Sequence, residues 1–260
     1  MPSPRRRPCL ITPPPRRRRS TRRPLETVSK SDGWDGKTVS EPKQLDDTSV
    51  NITSAEELAW LAQQVNSGRS FTSVFLDQDI DLNGKAWTAI GTQAHPFSGT
   101  FYGNGHTVSN LYIDTTTASF IGLFGGTSDQ AKIKNVIIAS GYVKTTASYS
   151  YASGLVGYAG GDTVILNCAN GADIVGEQNA GGITANISSS GYIANCYNTG
   201  KVHSEGPNAG GIAAYLGCKT TNLYNTGAIS AAGSECYVGG IVGEMAVSSK
   251  TTVEQNWYNT

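Results

Sequence analysis

Long apolar runs are missing from this sequence. No stretch of about 18 apolar residues occurs, so nothing in it reads as a membrane-spanning helix. Nor does the N-terminus read as a secretory signal. Its only apolar stretch, Cys9-Leu10-Ile11, is far shorter than the roughly 7–15 residues such a segment needs. Histidine is scarce, with 3 copies, and His95, His106 and His203 stand in unrelated contexts. Without a His-Glu-x-x-His pair there is no zinc-peptidase motif. The 5 cysteines contain no Cys-x-x-Cys pair, which argues against a zinc site. No Gly-x-Ser-x-Gly elbow is present to raise a serine nucleophile. Charged residues make up only 15% of the chain, whereas glycine is abundant, with 31 copies in 260 residues. Such a composition suits many short strands joined by tight turns rather than a helical bundle.

The formal net charge of zero hides an asymmetry. Nine arginines lie between Arg5 and Arg23, and no acid precedes Glu26. From Glu26 onward, 11 basic residues face 20 acidic ones, a net charge of −9. An acidic body argues against nucleic acid as its partner. Residues 1–24, almost wholly Arg and Pro, cannot bury a core and are expected to be disordered. They read either as a basic arm for polyanions or as an artefact of the start position. Residues 25–50 are polar and read as linker.

Residues 51–70 predict a short capping helix. Ser54-Ala55-Glu56-Glu57 forms a capping box, with Ser54 accepting from the Glu57 amide. Leu58, Leu61, Ala62 and Val65 share one face, and Gly68 supplies the stop. A helix in front of a repeat array would cover the open apolar end of the first coil and block its strand edge.

The main signal is a repeat over 71–260. Five segments read Gly-(Leu/Ile)-x-(Gly/Ala): Gly122-Leu123-Phe124-Gly125, Gly154-Leu155-Val156-Gly157, Gly182-Ile183-Thr184-Ala185, Gly211-Ile212-Ala213-Ala214 and Gly240-Ile241-Val242-Gly243. Their first glycines are 32, 28, 29 and 29 residues apart. Between them recurs Asn-x-x-Asn, at Asn167–Asn170, Asn195–Asn198, Asn222–Asn225 and Asn256–Asn259. Two landmarks with one period define a supersecondary unit that buries its apolar face only by stacking. The apolar runs are too short for a helix inside the unit, so three short strands and three turns are expected per coil. The predicted fold is all-β: a right-handed parallel β-helix of about seven coils, with strands roughly 4.8 Å apart.

Leu123, Leu155, Ile183, Ile212 and Ile241 are then one inward column. Cys168, Cys196, Leu223 and Trp257 are a second. The glycines are expected to supply positive φ and close approach at corners. The first Asn of each Asn-x-x-Asn is expected at a turn, satisfying backbone groups or stacking as a ladder. Cys168 and Cys196 are expected as stacked buried thiols, since in-register parallel neighbours rarely meet disulfide geometry. Cys218 and Cys236, in loop-like contexts, are the better candidate pair.

Over residues 51–260 the chain resembles the GLUG-motif repeat family of bacterial surface proteins, also found in the N-terminal region of immunoglobulin-A-specific metalloproteases. The segments that carry the resemblance are Thr53–Ala62, Asp79–Trp87, Pro96–Thr107 and Gly122-Leu123-Phe124-Gly125. The resemblance implies a β-helix in an exported protein at the cell surface or outside the cell. It transfers no catalytic residue and no cofactor. An end inside a repeat, at Asn259-Thr260, is read as truncation within a longer chain with further domains.

Candidate chemistry is sparse. Asp79-x-Asp81-x-Asn83-Gly84 matches half of a calcium loop, but Ile90 stands where the bidentate Glu belongs, so edge strand and turn is the simpler reading. Asp162, Asp173 and Glu205 are the acids that could converge in a β-helical polysaccharide lyase or hydrolase. Scattered solvated acids are the simpler reading. Many tyrosines, among them Tyr112, Tyr142, Tyr149, Tyr151 and Tyr158, could form a strip for stacking sugar rings or could pack between coils. The chain therefore reads as a non-catalytic structural or adhesive segment displaying a repetitive face to glycan or host protein. A carbohydrate-active enzyme is the alternative.

Overall fold

The computed structural model describes residues 33–128, 130–188, 190–246, 251–254 and 257–258. The Arg/Pro stretch 1–24, residues 25–32 of the expected linker, and Asn256 and Asn259 lie outside them.

Asparagine sets the first corner of each turn. Asn135, Asn167, Asn195 and Asn222 have φ of 55, 55, 53 and 53°, the left-handed region that Asn tolerates best after glycine. Each breaks the chain between two short strands that face different ways. Lys132–Lys134 precedes Asn135 and Ile137–Ile138 follows it; Val164–Leu166 precedes Asn167 and Ala169–Asn170 follows it. These two positions define faces one and two. Three more strands complete a turn. Gly141–Thr145, Asp173–Gly176 and Val202–Ser204 lie on face three. Tyr151–Ser153, Asn179–Gly181 and Asn208–Gly210 lie on face four. Val156–Ala159, Thr184–Ile187 and Ala213–Leu216 lie on face five. A turn thus has five short strands rather than the expected three. A single left-handed residue suffices for a corner, so several breaks leave no glycine or proline to mark them.

The strands of these five faces pair in parallel with their equivalents one turn away. On face one, Thr100, Lys132, Val164, Tyr192 and Lys219 stand in one column. About six turns stack in this way, making the chain a parallel β-solenoid. Leu123, Leu155, Ile183 and Ile212 are fully buried, and Ile241 nearly so. Cys168, Cys196 and Leu223 line the interior beside them; the Trp257 side chain is not among those described. The first turns are filled by larger groups, with Phe124 packed edge-on against Phe101 at 5.2 Å.

The motif glycines act through space rather than through φ. None of Gly122, Gly154, Gly182, Gly211 and Gly240 has a positive φ. A Cβ on Gly182 would stand 2.1 Å from the Gly211 carbonyl oxygen, and one on Gly211 2.0 Å from that of Gly240. The corner between faces four and five is therefore packed backbone on backbone.

Two asparagine ladders run along the stack. In the outer one, Asn222 donates to Asn195, Asn195 to Asn167 and Asn167 to Asn135, at 2.8, 3.0 and 2.9 Å. The inner one is buried: Asn170 donates to Asn198, and Asn198 to Asn225, both at 2.8 Å. Inner amides also hold the next corner, Asn198 donating to the Gly200 carbonyl and Asn225 to that of Gly227.

The N-terminal end is closed by more than a helix. The helix α1, Ala55–Asn66, begins at Ser54, whose hydroxyl accepts from the Glu57 amide; Glu57 reaches back to the Thr53 amide at 2.6 Å. Leu58, Leu61, Ala62 and Val65 are buried in the core. α1 connects Ser49–Ile52 to Ser73–Leu76, which pair in parallel as the first rungs. Residues expected as linker are structured too: Lys43–Asp46 pairs antiparallel with Ser49–Ile52, and Trp34 is buried. The strand edge is thus covered by the exposed strand Lys43–Asp46 rather than by α1. The polar composition of this strand hid it, since a protective edge strand has no apolar alternation to detect.

Candidate binding groove

A concave site lined by aromatic rings lies where faces four and five meet. Phe120 and Tyr151 are register partners on face four. Tyr158, on face five, stands over Gly126 in its column. The Phe120 ring lies beside Gly126, where a Cβ would stand in ordinary contact with Phe120 Cδ2 at 3.6 Å. Phe120 and Tyr158 stack at 5.1 Å with an interplanar angle of 11°. Tyr151 meets both edge-on, at 5.4 and 5.5 Å. Offset and edge-to-face arrangements are the favourable geometries for such rings. Partial burial raises the Tyr151 phenol pKa, with a smaller contribution from Tyr158.

Beside this cluster, Tyr149 is 75% exposed and has φ 57°. A left-handed conformation is costly for a bulky side chain, by about 1–2 kcal/mol. The other described non-glycine residues with positive φ are asparagines and Gln130. The four rings border a cavity of about 490 Å³, whose lining also includes Thr92, Gln93, Ser119 and Ser128. A second cavity of about 310 Å³ shares Thr92, Gln93, Ser119 and Phe120 and continues to Asn66 at the end of α1. Among the described residues, no Lys, Arg, His, Asp or Glu lines either one. Tyr149, Tyr151 and Tyr158 were legible as candidates; Phe120 was not, because its partners are a turn away.

The other candidate residues are dispersed. Asp79 accepts from the Thr107 amide at 2.8 Å and meets His106 Nδ1 at 3.3 Å. The Thr107 amide holds its carboxyl below the ordinary carboxylate range. Asp81 accepts from the Asn83 amide and from Asn110 Nδ2, while Asn83 Nδ2 donates to the Trp34 carbonyl. The Asp79–Asn83 segment therefore braces neighbouring chain. Among the described residues, no group of three or more His, Cys, Asp or Glu is placed to hold a metal ion.

Asp162 sits exposed at the turn before face one, whereas Asp173 is on face three, accepting from the Lys201 amide at 2.9 Å. Glu205 follows the face-three strand Val202–Ser204 and pairs with His203 at 3.7 Å. Asp162 thus stands at a different corner from the other two. His95 Nδ1 meets the Asn66 carbonyl at 2.9 Å. Trp60 and Trp87 are buried, while Tyr112 and Tyr142 stack on face three at 6.4 Å.

The four described cysteines are free. Cys218 is buried and Cys236 exposed, so the expected candidate pair is not joined. Burial pushes the Cys218 thiol up to about 12 and the Cys196 thiol well above its ordinary value.

No family model matches the chain. Over 112 residues it is 29% identical to a "Putative Gly-rich membrane protein" of Evansella cellulosilytica, covering 41% of this chain and 13% of that protein. Over 164 residues it is 30% identical to "Halomucin" of Haloquadratum walsbyi, covering 59% of this chain and 2% of the relative. The chain thus spans a small part of the length of either relative. Among solved structures, an immunoglobulin A1 protease so described from Bacteroides ovatus superimposes with a TM-score of 0.62 at 22% identity, over 83% of this chain and 66% of that one. That likeness establishes the solenoid fold. Among the described residues, no helix is long and apolar enough to cross a membrane.

Proposed function

We propose that this chain is a non-catalytic structural or adhesive segment of a longer surface or secreted protein of the GLUG-motif repeat type, displaying a binding face to glycan or host protein. The observation that carries the reading is the continuous parallel register. Faces three, four and five each pair through five successive strands, and Asp162 stands at a different corner from Asp173 and Glu205. Glycosidases need a pair of acids about 5–10 Å apart across the scissile bond, and among the described residues the aromatic groove has no carboxylate in its lining. The relatives add support: one is named as a membrane protein and one as a mucin, and each is much longer than its match to this chain.

Incubation of the purified chain with mixed polysaccharides checks this reading. The expected result is retention of the chain on a polysaccharide or mucin surface, with no new reducing ends or unsaturated uronides. Depolymerisation abolished by Asp173→Ala or Asp162→Ala would sink it and establish the enzyme.

A further inference from the structure

We infer that the groove bounded by Phe120, Tyr149, Tyr151 and Tyr158 is a binding site for an uncharged oligosaccharide. The inference rests on the displayed-face reading and names its ligand class. Charge comes first. The body is acidic, yet among the described residues neither linked cavity has an ionisable lining group other than the tyrosine phenols. An anionic glycan would find no cation there to offset its desolvation, and would meet the negative field of the body.

Shape and chemistry come second. One wall is aromatic, with Phe120 and Tyr158 nearly parallel and Tyr151 edge-on. The lining also offers hydroxyl and amide groups from Thr92, Gln93 and Ser119. A pyranose has C–H groups on its ring faces and hydroxyls around its rim, which matches a lining of aromatic rings and polar side chains. The two cavities share residues, and their combined course runs from Tyr149 to Asn66, so the site is an extended slot. Each volume lies within the roughly 300–1,000 Å³ range of small-ligand sites.

Tyr149 adds an independent observation. Its ring is the most exposed large apolar side chain described, on a backbone conformation unfavourable to it. Neither packing nor turn geometry accounts for a tyrosine there, whereas a ring at the mouth of a sugar slot would close over a bound ligand.

The test is titration calorimetry of the full chain with cellohexaose, maltohexaose, mannohexaose and chitohexaose, with polygalacturonate as the anionic probe. Tyr149→Asn removes the ring and keeps a residue suited to the left-handed region. Tyr224→Ser, an exposed tyrosine on face two, is the control. The expected result is binding of at least one neutral hexamer, weakened about tenfold or more by Tyr149→Asn and by Phe120→Ala and unchanged by Tyr224→Ser. Failure of every neutral hexamer, or binding that survives both groove variants, overturns the site assignment. If the chain is nevertheless retained on a polysaccharide or mucin surface, the displayed-face reading stands without this site; if retention also fails, both fall.

Discussion

Gly182 lies against the buried amide of Asn198: a Cβ on the glycine would stand 2.5 Å from Asn198 Cγ. Gly154 meets Asn170 Oδ1 at 2.0 Å on the same construction, and Gly211 meets Asn225 Cγ at 2.5 Å. The two landmarks of the repeat are thus one structural unit. The absent side chain of the glycine makes room for the asparagine that braces the next corner.

Gly182→Ala is therefore expected to destabilise the chain by about 2–3 kcal/mol, because neither the Gly211 carbonyl nor Asn198 can retreat from a packed interior. Gly84→Ala is the comparison. Nothing lies within 4 Å of a Cβ there, and φ is +64°, so only backbone strain of about 1 kcal/mol applies. Denaturant midpoints of the two variants should rank in that order.

Asn198→Ala removes the acceptor of Asn170 Nδ2 and the donor to Asn225 Oδ1, both buried. A cost of about 2–4 kcal/mol is expected, larger than for one surface hydrogen bond. Asn195→Ala cuts the exposed ladder at the equivalent place and should cost less than half as much, about 1 kcal/mol. Equal losses in chemical denaturation would contradict the distinction between inner and outer ladders.

Ile212→Asp places a carboxylate in a fully buried column and is expected to cost at least ~4 kcal/mol. Ile212→Val should cost about 1 kcal/mol. A thermal melt of Ile212→Asp that matches the parent would mean that the column does not face inward.

Thiol reactivity should separate the cysteines. Cys236 is exposed and is expected to react with a thiol reagent at pH 8, whereas Cys196 and Cys218 stay protonated and buried until the chain unfolds. Burial raises the Cys218 pKa from an ordinary thiol's 9.0 to about 12 in the fold, so unfolding releases a proton between those values. Stability from this group is fully present below pH 9 and is lost as pH rises toward 12. Cys218→Ala should flatten that part of the stability–pH curve.

At the acid end, the Thr38 amide, the Thr38 hydroxyl and the Lys37 amide hold Asp35 down to about 2 from 3.8. Its contribution is present above pH 3.8 and fades as pH falls through 2. A carboxyl NMR titration of Asp35 should show a midpoint near 2, and Thr38→Val should raise it.

Much of the solenoid was legible because its signals repeat. Ile183, Ile212 and Ile241 recur with a glycine one residue before them, and a left-handed turn is the ordinary role of an asparagine such as Asn195. The inner ladder was hidden because Asn170, Asn198 and Asn225 look like turn residues. Their burial depends on a glycine about 14–16 residues earlier, a relation that only stacking creates. The five-strand turn was hidden because Tyr192–Asn198 reads as one strand although it pairs on two faces. Phe120 was overlooked for a similar reason, since Tyr151 and Tyr158 come beside it only after a full turn.

The two ladders point in opposite directions. Outer amides donate toward the N-terminal end of the stack and inner amides toward the C-terminal end. Side-chain amide dipoles in a single aligned row would add along the axis and charge the two ends a little more with each added coil. Antiparallel rows largely cancel. Each added coil therefore contributes two opposed amide dipoles, and the axial dipole of the side-chain ladders grows little with the length of the stack.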